Sequence, residues 1–131
     1  MNKIVFYGSI YSGDYKIVAS ILKKWLLTDN LDIKIRLSGE EIVYDNEKIY
    51  LYCYNAVIDE GEEPSFLLEG NISQTLDQVK ALLHQLLQLY REQDINSNFE
   101  CVEINENGDE LSEQCYLSRY YMKIYRENIK L

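Results

Sequence analysis

The stretch KIVFYGSIYSGDYKIVASILKKWLL, Lys3 to Leu27, decides how the chain is to be read. From Lys3 to Tyr7 apolar side chains fall on successive positions, as in a strand covered on at least part of both faces. Farther on, Ile17, Val18, Ile21, Leu22, Trp25 and Leu26 recur at helical spacing, and Ser12 or Asp14 can accept from the free N–H groups of a first turn. The expectation is an interior strand followed by an amphipathic helix ending near Asp29 and Asn30. Between them, Gly8 and Gly13 have the outer spacing of a phosphate-binding loop. Such a loop needs Lys after the second glycine and then Ser or Thr, and here Asp14 and Tyr15 follow. A carboxylate at the helix start already meets the partial positive charge that would attract an anion, and repels phosphate. The glycine pair therefore reads as a turn.

Working outward, Asp32 to Leu37 alternates, with Ile33, Ile35 and Leu37 on one side and Asp32, Lys34 and Arg36 on the other, the period of a half-buried strand. SGEE (Ser38 to Glu41) reads as a turn, and Ile42 to Tyr44 and Lys48 to Tyr54 as strands joined by DNEK. In the second of these, Ile49, Leu51 and Cys53 share one face and Tyr50, Tyr52 and Tyr54 the other. A charged loop, DEGEEP, covers Asp59 to Pro64, with a short strand expected at Phe66 to Leu68. Thr75 and Gln78 fit a capping box, and Leu76, Val79, Leu82, Leu83, Leu86, Leu87 and Tyr90 form an apolar stripe. Phe99 to Ile104 reads as a strand. Asn107-Gly108 suits a two-residue hairpin turn with positive φ at both positions, and the return strand is expected from about Glu110 to Leu117. From Ser118 to Leu131, Tyr121, Ile124, Tyr125 and Asn128 suit a helix that Ser118 could cap, while Tyr121, Lys123 and Tyr125 also alternate as in a strand; a helix is the expectation.

Strand, helix, strands, helix, strands, without repeat or linker, is an α+β pattern. It resembles the ferredoxin-like arrangement: an antiparallel sheet with two helices on one face, here with a C-terminal hairpin added. The alternative is a three-layer α/β arrangement with helices on both sides. At 131 residues, 47% of them hydrophobic and 27% charged, the chain has the size and composition of a single globular domain spanning residues 1–131. The apolar run from Ile17 to Leu27 is broken by Ser20, Lys23 and Lys24, so no bilayer-spanning segment is expected. The short Ile4–Phe6 run lacks the form of a signal peptide, and the cytoplasm is the expected location. Cys53, Cys101 and Cys115 form no C-x-x-C pair and read as small, partly buried thiols. The one histidine, His84, falls in the middle of the second helix.

Charge is unevenly placed. Glu40 to Glu69 holds nine carboxylates against Lys48 alone, and Glu92 to Glu113 holds eight against no base, within a net charge of −9. Such a surface repels nucleic acid, whose binding relies on Lys and Arg at phosphates, and favours a basic protein. The spacing of DEGEEP is not that of a calcium loop, and no metal or cofactor is expected. Twelve tyrosines against three phenylalanines is a bias found in binding surfaces.

In size, charge and compactness the chain resembles the immunity proteins that bacteria keep against toxins such as those of contact-dependent growth inhibition. The resemblance implies a non-catalytic protein that neutralises a cognate basic toxin, such as a nuclease domain, by covering its active site. The binding residues expected are Asp59, Glu60, Glu62 and Glu63 for charge, with Tyr50, Tyr52 and Tyr54 as aromatic anchors. Homodimerisation through the tyrosine face is compatible with that reading. The alternatives are an acidic nucleic-acid mimic that blocks a DNA-processing enzyme, or a small enzyme of unassigned reaction.

Overall fold

The computed structural model describes residues 2–55 and 64–118. Its elements run β1 (Lys3–Ile10), α1 (Tyr15–Leu26), β2 (Asp32–Arg36), β3 (Gly39–Asp45), β4 (Ile49–Asn55), β5 (Phe66–Ile72), α2 (Leu76–Glu92), β6 (Ser97–Ile104) and β7 (Cys115–Ser118). All seven strands join one sheet in the order β2-β3-β4-β5-β1-β6-β7, and every pairing is antiparallel. The α+β class expected from the sequence is therefore what the chain adopts.

β1 holds the interior place its apolar run predicted, between β5 and β6. Its inward positions Ile4, Phe6 and Ile10 are fully buried, and Ile72, Phe66 and Cys101, which face them across the ladders, are buried too. These residues form one hydrophobic cluster with Val18, Leu22 and Trp25 of α1 and Val79, Leu83, Leu86 and Tyr90 of α2. The helices are also tied by hydrogen bonds. Trp25 donates from Nε1 to the Leu82 carbonyl at 2.8 Å, and the Tyr90 hydroxyl donates to the Val18 carbonyl at 3.1 Å. Asp14 caps α1 by accepting from the Lys16 N–H, and Thr75 with Gln78 closes the capping box of α2.

Several local expectations are corrected. Gly8 is not part of a turn but lies within β1, where a Cβ would fall on the Asn98 carbonyl and the Phe99 ring. β2 and β3 turn through Leu37 and Ser38, so Gly39, Glu40 and Glu41 belong to a strand. Of the apolar side of β2, Ile33 is half-buried opposite Ile42, whereas Ile35 and Leu37 are exposed, because β2 is the sheet's outermost strand. β5 runs on to Ile72 instead of stopping at Leu68. In the turn after β6, Gly108 has positive φ, at +85°, and Asn107 does not. The turn is closed by the Asn105 N–H donating to the Asp109 carbonyl, while the N–H groups of Asn107 and Asp109 donate to the Asn105 side-chain oxygen. That is a longer loop with glycine at its left-handed position. The return strand begins at Cys115 rather than Glu110, which makes only a single bridge to Ile104. Ser118 ends β7, and the helix expected beyond it lies outside the described residues.

Candidate interaction face

Residues directly opposite in an antiparallel ladder share a face, so the registers define rows of side chains across the sheet. On the face away from the buried cluster, one row crosses all seven strands: Asp32, Val43, Tyr52, Glu69, Tyr7, Glu100 and Tyr116. From β4 to β7 it alternates tyrosine and glutamate without interruption. The next row along the strands carries Lys34, Glu41, Tyr54, Leu67, Ser9 and Asn98. On the other side, Asp45, Tyr50, Asn71, Val5 and Val102 follow.

The expected anchors Tyr50, Tyr52 and Tyr54 thus share this face, as their alternation in β4 requires. The rings of Tyr52 and Tyr54 lie 5.1 Å apart, tilted by 40°. Asp59, Glu60, Glu62 and Glu63 lie outside the described residues. Tyr7, Glu69, Glu100 and Tyr116 were not singled out from the sequence. Tyr7 and Glu100 fall in segments read as strands and Tyr116 in the expected return strand, whereas Glu69 lies just beyond the strand expected at Phe66 to Leu68. Their meeting depends on β5, β1 and β6 being neighbours in the sheet, although Glu69 and Glu100 are far from Tyr7 in sequence.

Polar contacts hold the row in place. The Tyr7 hydroxyl hydrogen-bonds the Glu100 carboxylate, which with the burial of the ring and the charges of Glu100 and Glu110 pushes the Tyr7 pKa up to about 12. Gln114 Nε2 donates to Glu100 at 3.0 Å and also to the Tyr7 hydroxyl. Burial raises the Tyr52 pKa as well, and the Glu41 carboxylate that it hydrogen-bonds adds to the effect. Arg36 Nε sits 3.3 Å from Glu41. At the centre, Tyr7, Tyr54, Leu67, Glu69, Asn98 and Glu100 line a shallow depression of about 310 Å³. Its walls offer ring faces and carboxylates together, the chemistry that receives a guanidinium or ammonium group.

The two acidic segments reach this face only in part. Glu41, Asp45, Glu69 and Glu100 lie on it. Glu40 instead accepts from the Asn55 amide at 3.1 Å, Glu92 ends α2, and Glu106, Asp109, Glu110 and Glu113 lie in the connection from β6 to β7. Among the described residues, no group of three or more His, Cys, Asp or Glu side chains could hold a metal ion, and no helix is long and apolar enough to cross a membrane. His84 lines a separate groove of about 560 Å³ beside Trp25, Leu82, Gln88 and Glu92. No protein-family model matches the sequence, and no curated protein matches it either.

Proposed function

We propose that this is a binding protein that engages a basic protein partner through the open face of its sheet, as an immunity-type inhibitor of a toxin domain. The observation that carries the reading is the alternation Tyr52, Glu69, Tyr7, Glu100, Tyr116 across β4, β5, β1, β6 and β7. Broad rings supply contact area at low entropic cost, and the carboxylates between them suit arginines presented by the partner. The excess of carboxylates in the whole chain, at −9 net, adds long-range attraction that speeds encounter.

The scaffold is read as a ferredoxin-like plan. Taking β1, α1, β4, β5, α2 and β6 in chain order, their strands stand as β4-β5-β1-β6, the interleaving of two split β-α-β units. The β2–β3 hairpin then widens one side and β7 the other. In that plan both helices cover one face and leave the other to the partner.

The test is titration with the C-terminal domain of the toxin encoded beside this gene, at low and high salt. A one-to-one complex is expected, with Glu69→Lys and Tyr52→Ala each weakening it at least tenfold. Tyr50→Ala, nearer the rim, should weaken it less. A cognate domain that binds equally well to the wild type and to both central variants would overturn the assignment of the face. The absence of any complex would overturn the inhibitor reading.

A further inference from the structure

Cys101 and Cys115 stand directly opposite each other in the β6–β7 ladder, on the side of the sheet that carries the buried cluster. Burial, together with the neighbouring Cys115, pushes the Cys101 thiol up to about 11. Both are reduced. We infer that these two cysteines form a cross-strand disulfide on exposure to a small-molecule disulfide, fastening the edge strand β7 to β6.

The geometry fits the bond. Opposed residues of an antiparallel pair have Cβ atoms about 4.5–5.5 Å apart, and a disulfide needs about 3.5–4.5 Å, so only a small approach is required. The four-residue strand β7 can supply it, since it is the outermost strand and bonds to β6 alone. Cys53 offers no such route. It is fully buried in the interior strand β4, and its ladder neighbours are Ile42 and Leu68.

The two thiols divide the chemistry by access. Cys101 is fully covered, whereas Cys115 is half-exposed. The Cys115 thiolate attacks one sulfur of the small disulfide, forming a mixed disulfide and releasing one small thiol. The Cys101 sulfur then attacks Cys115 Sγ, forming the cross-strand bond and releasing the second small thiol. Two electrons pass to the small disulfide, and the two cysteine protons leave on the released thiols.

The bond would act on the binding face through the backbone. Tyr116 follows Cys115, Glu100 precedes Cys101, and these two lie opposite each other at the end of the tyrosine–glutamate row. Fastening the cysteines therefore fixes the outermost member of that row. The inference does not depend on what the face binds.

The experiment incubates the purified full chain with oxidised glutathione, then counts thiols under denaturing conditions and maps peptides by mass. The expected count falls from three to one, with a peptide linking Cys101 to Cys115 and Cys53 left free. Cys53→Ser should form the same link. Cys101→Ser should stop at a glutathione adduct on Cys115. Three thiols remaining, a lasting adduct on wild-type Cys115, or a link through Cys53 would each overturn the inference.

Discussion

The Tyr7 hydroxyl hydrogen-bonds the Glu100 carboxylate across the β1–β6 ladder, at the middle of the open sheet face. Burial of that hydrogen bond is slight, since Tyr7 is 38% exposed, yet the bond and the neighbouring charge push the tyrosine up to about 12. A phenol whose pKa is raised by folding contributes stability that is complete below the unfolded value and is lost as pH rises through the folded one. Stability of the wild type should therefore decline between about pH 10 and about pH 12. Cys53, Cys101 and Tyr90, all raised by burial, add to that decline and remain in a Tyr7→Phe variant. Tyr7→Phe should show a smaller fall in thermal midpoint over this range, measured against wild type. An identical fall would mean that the contact does not persist in solution.

Gly70 permits the core to close under β1. A Cβ there would meet the Tyr50 carbonyl and, at 2.8 Å, the Phe6 ring. Phe6 in turn packs edge-on against Trp25, with centroids 6.4 Å apart, so a displaced ring disturbs the α1 interface. Gly70→Ala should cost about 1–3 kcal/mol in urea unfolding, the range for overpacking. Gly108→Ala meets nothing within 4 Å and is opposed only by its backbone angle, φ +85°. It should cost about 1–2 kcal/mol.

These glycines mark the limit of what the sequence makes legible. Alternation placed Leu51 and Cys53 inward and Tyr50, Tyr52 and Tyr54 outward, because a strand's period is local. The helices were equally plain, since each apolar stripe and the Thr75–Gln78 capping box lie within one continuous segment of chain. Strand order was not local. Nothing near Tyr7 indicates that Glu69 and Glu100 flank it, and nothing near Gly8 indicates that Phe99 needs its missing side chain. The same limit misplaced Ile35 and Leu37. Their alternation is that of a half-covered strand, but only the position of β2 at the sheet's edge decides what lies over them.

Tyr90 joins the two helices within the buried cluster. It is fully buried, its hydroxyl donates to the Val18 carbonyl, and burial raises its pKa well above the usual range. Tyr90→Phe removes the hydrogen bond and keeps the ring, so a loss of about 1 kcal/mol is expected. Tyr90→Ala also empties the space and should cost about 3–5 kcal/mol, by analogy with other large aromatic truncations. Equal costs for the two variants in chemical denaturation would mean that packing of the ring contributes little.

The glycine-containing segment before α1 should be inert towards nucleotides, because most of its backbone donors are already engaged and a carboxylate caps the helix. Gly8, Ser9 and Ile10 pair within the sheet on both sides, to β5 and to β6. Beyond them, the Tyr11 N–H donates to the Asn96 carbonyl at 2.9 Å and the Ser12 N–H to the Ile10 carbonyl at 3.0 Å. The Asp14 N–H donates to Ser12 Oγ and the Lys16 N–H to Asp14 Oδ1, which places a carboxylate where a phosphate would sit. A phosphate cradle needs several free N–H groups converging on one point and no anion among them. Millimolar ATP or GTP with magnesium should leave the thermal midpoint of the wild type unchanged. Asp14→Ala should lower that midpoint through loss of the cap, by about 1 kcal/mol of stability, and still show no nucleotide response. A midpoint that rises with nucleotide in either protein would overturn this account of the segment.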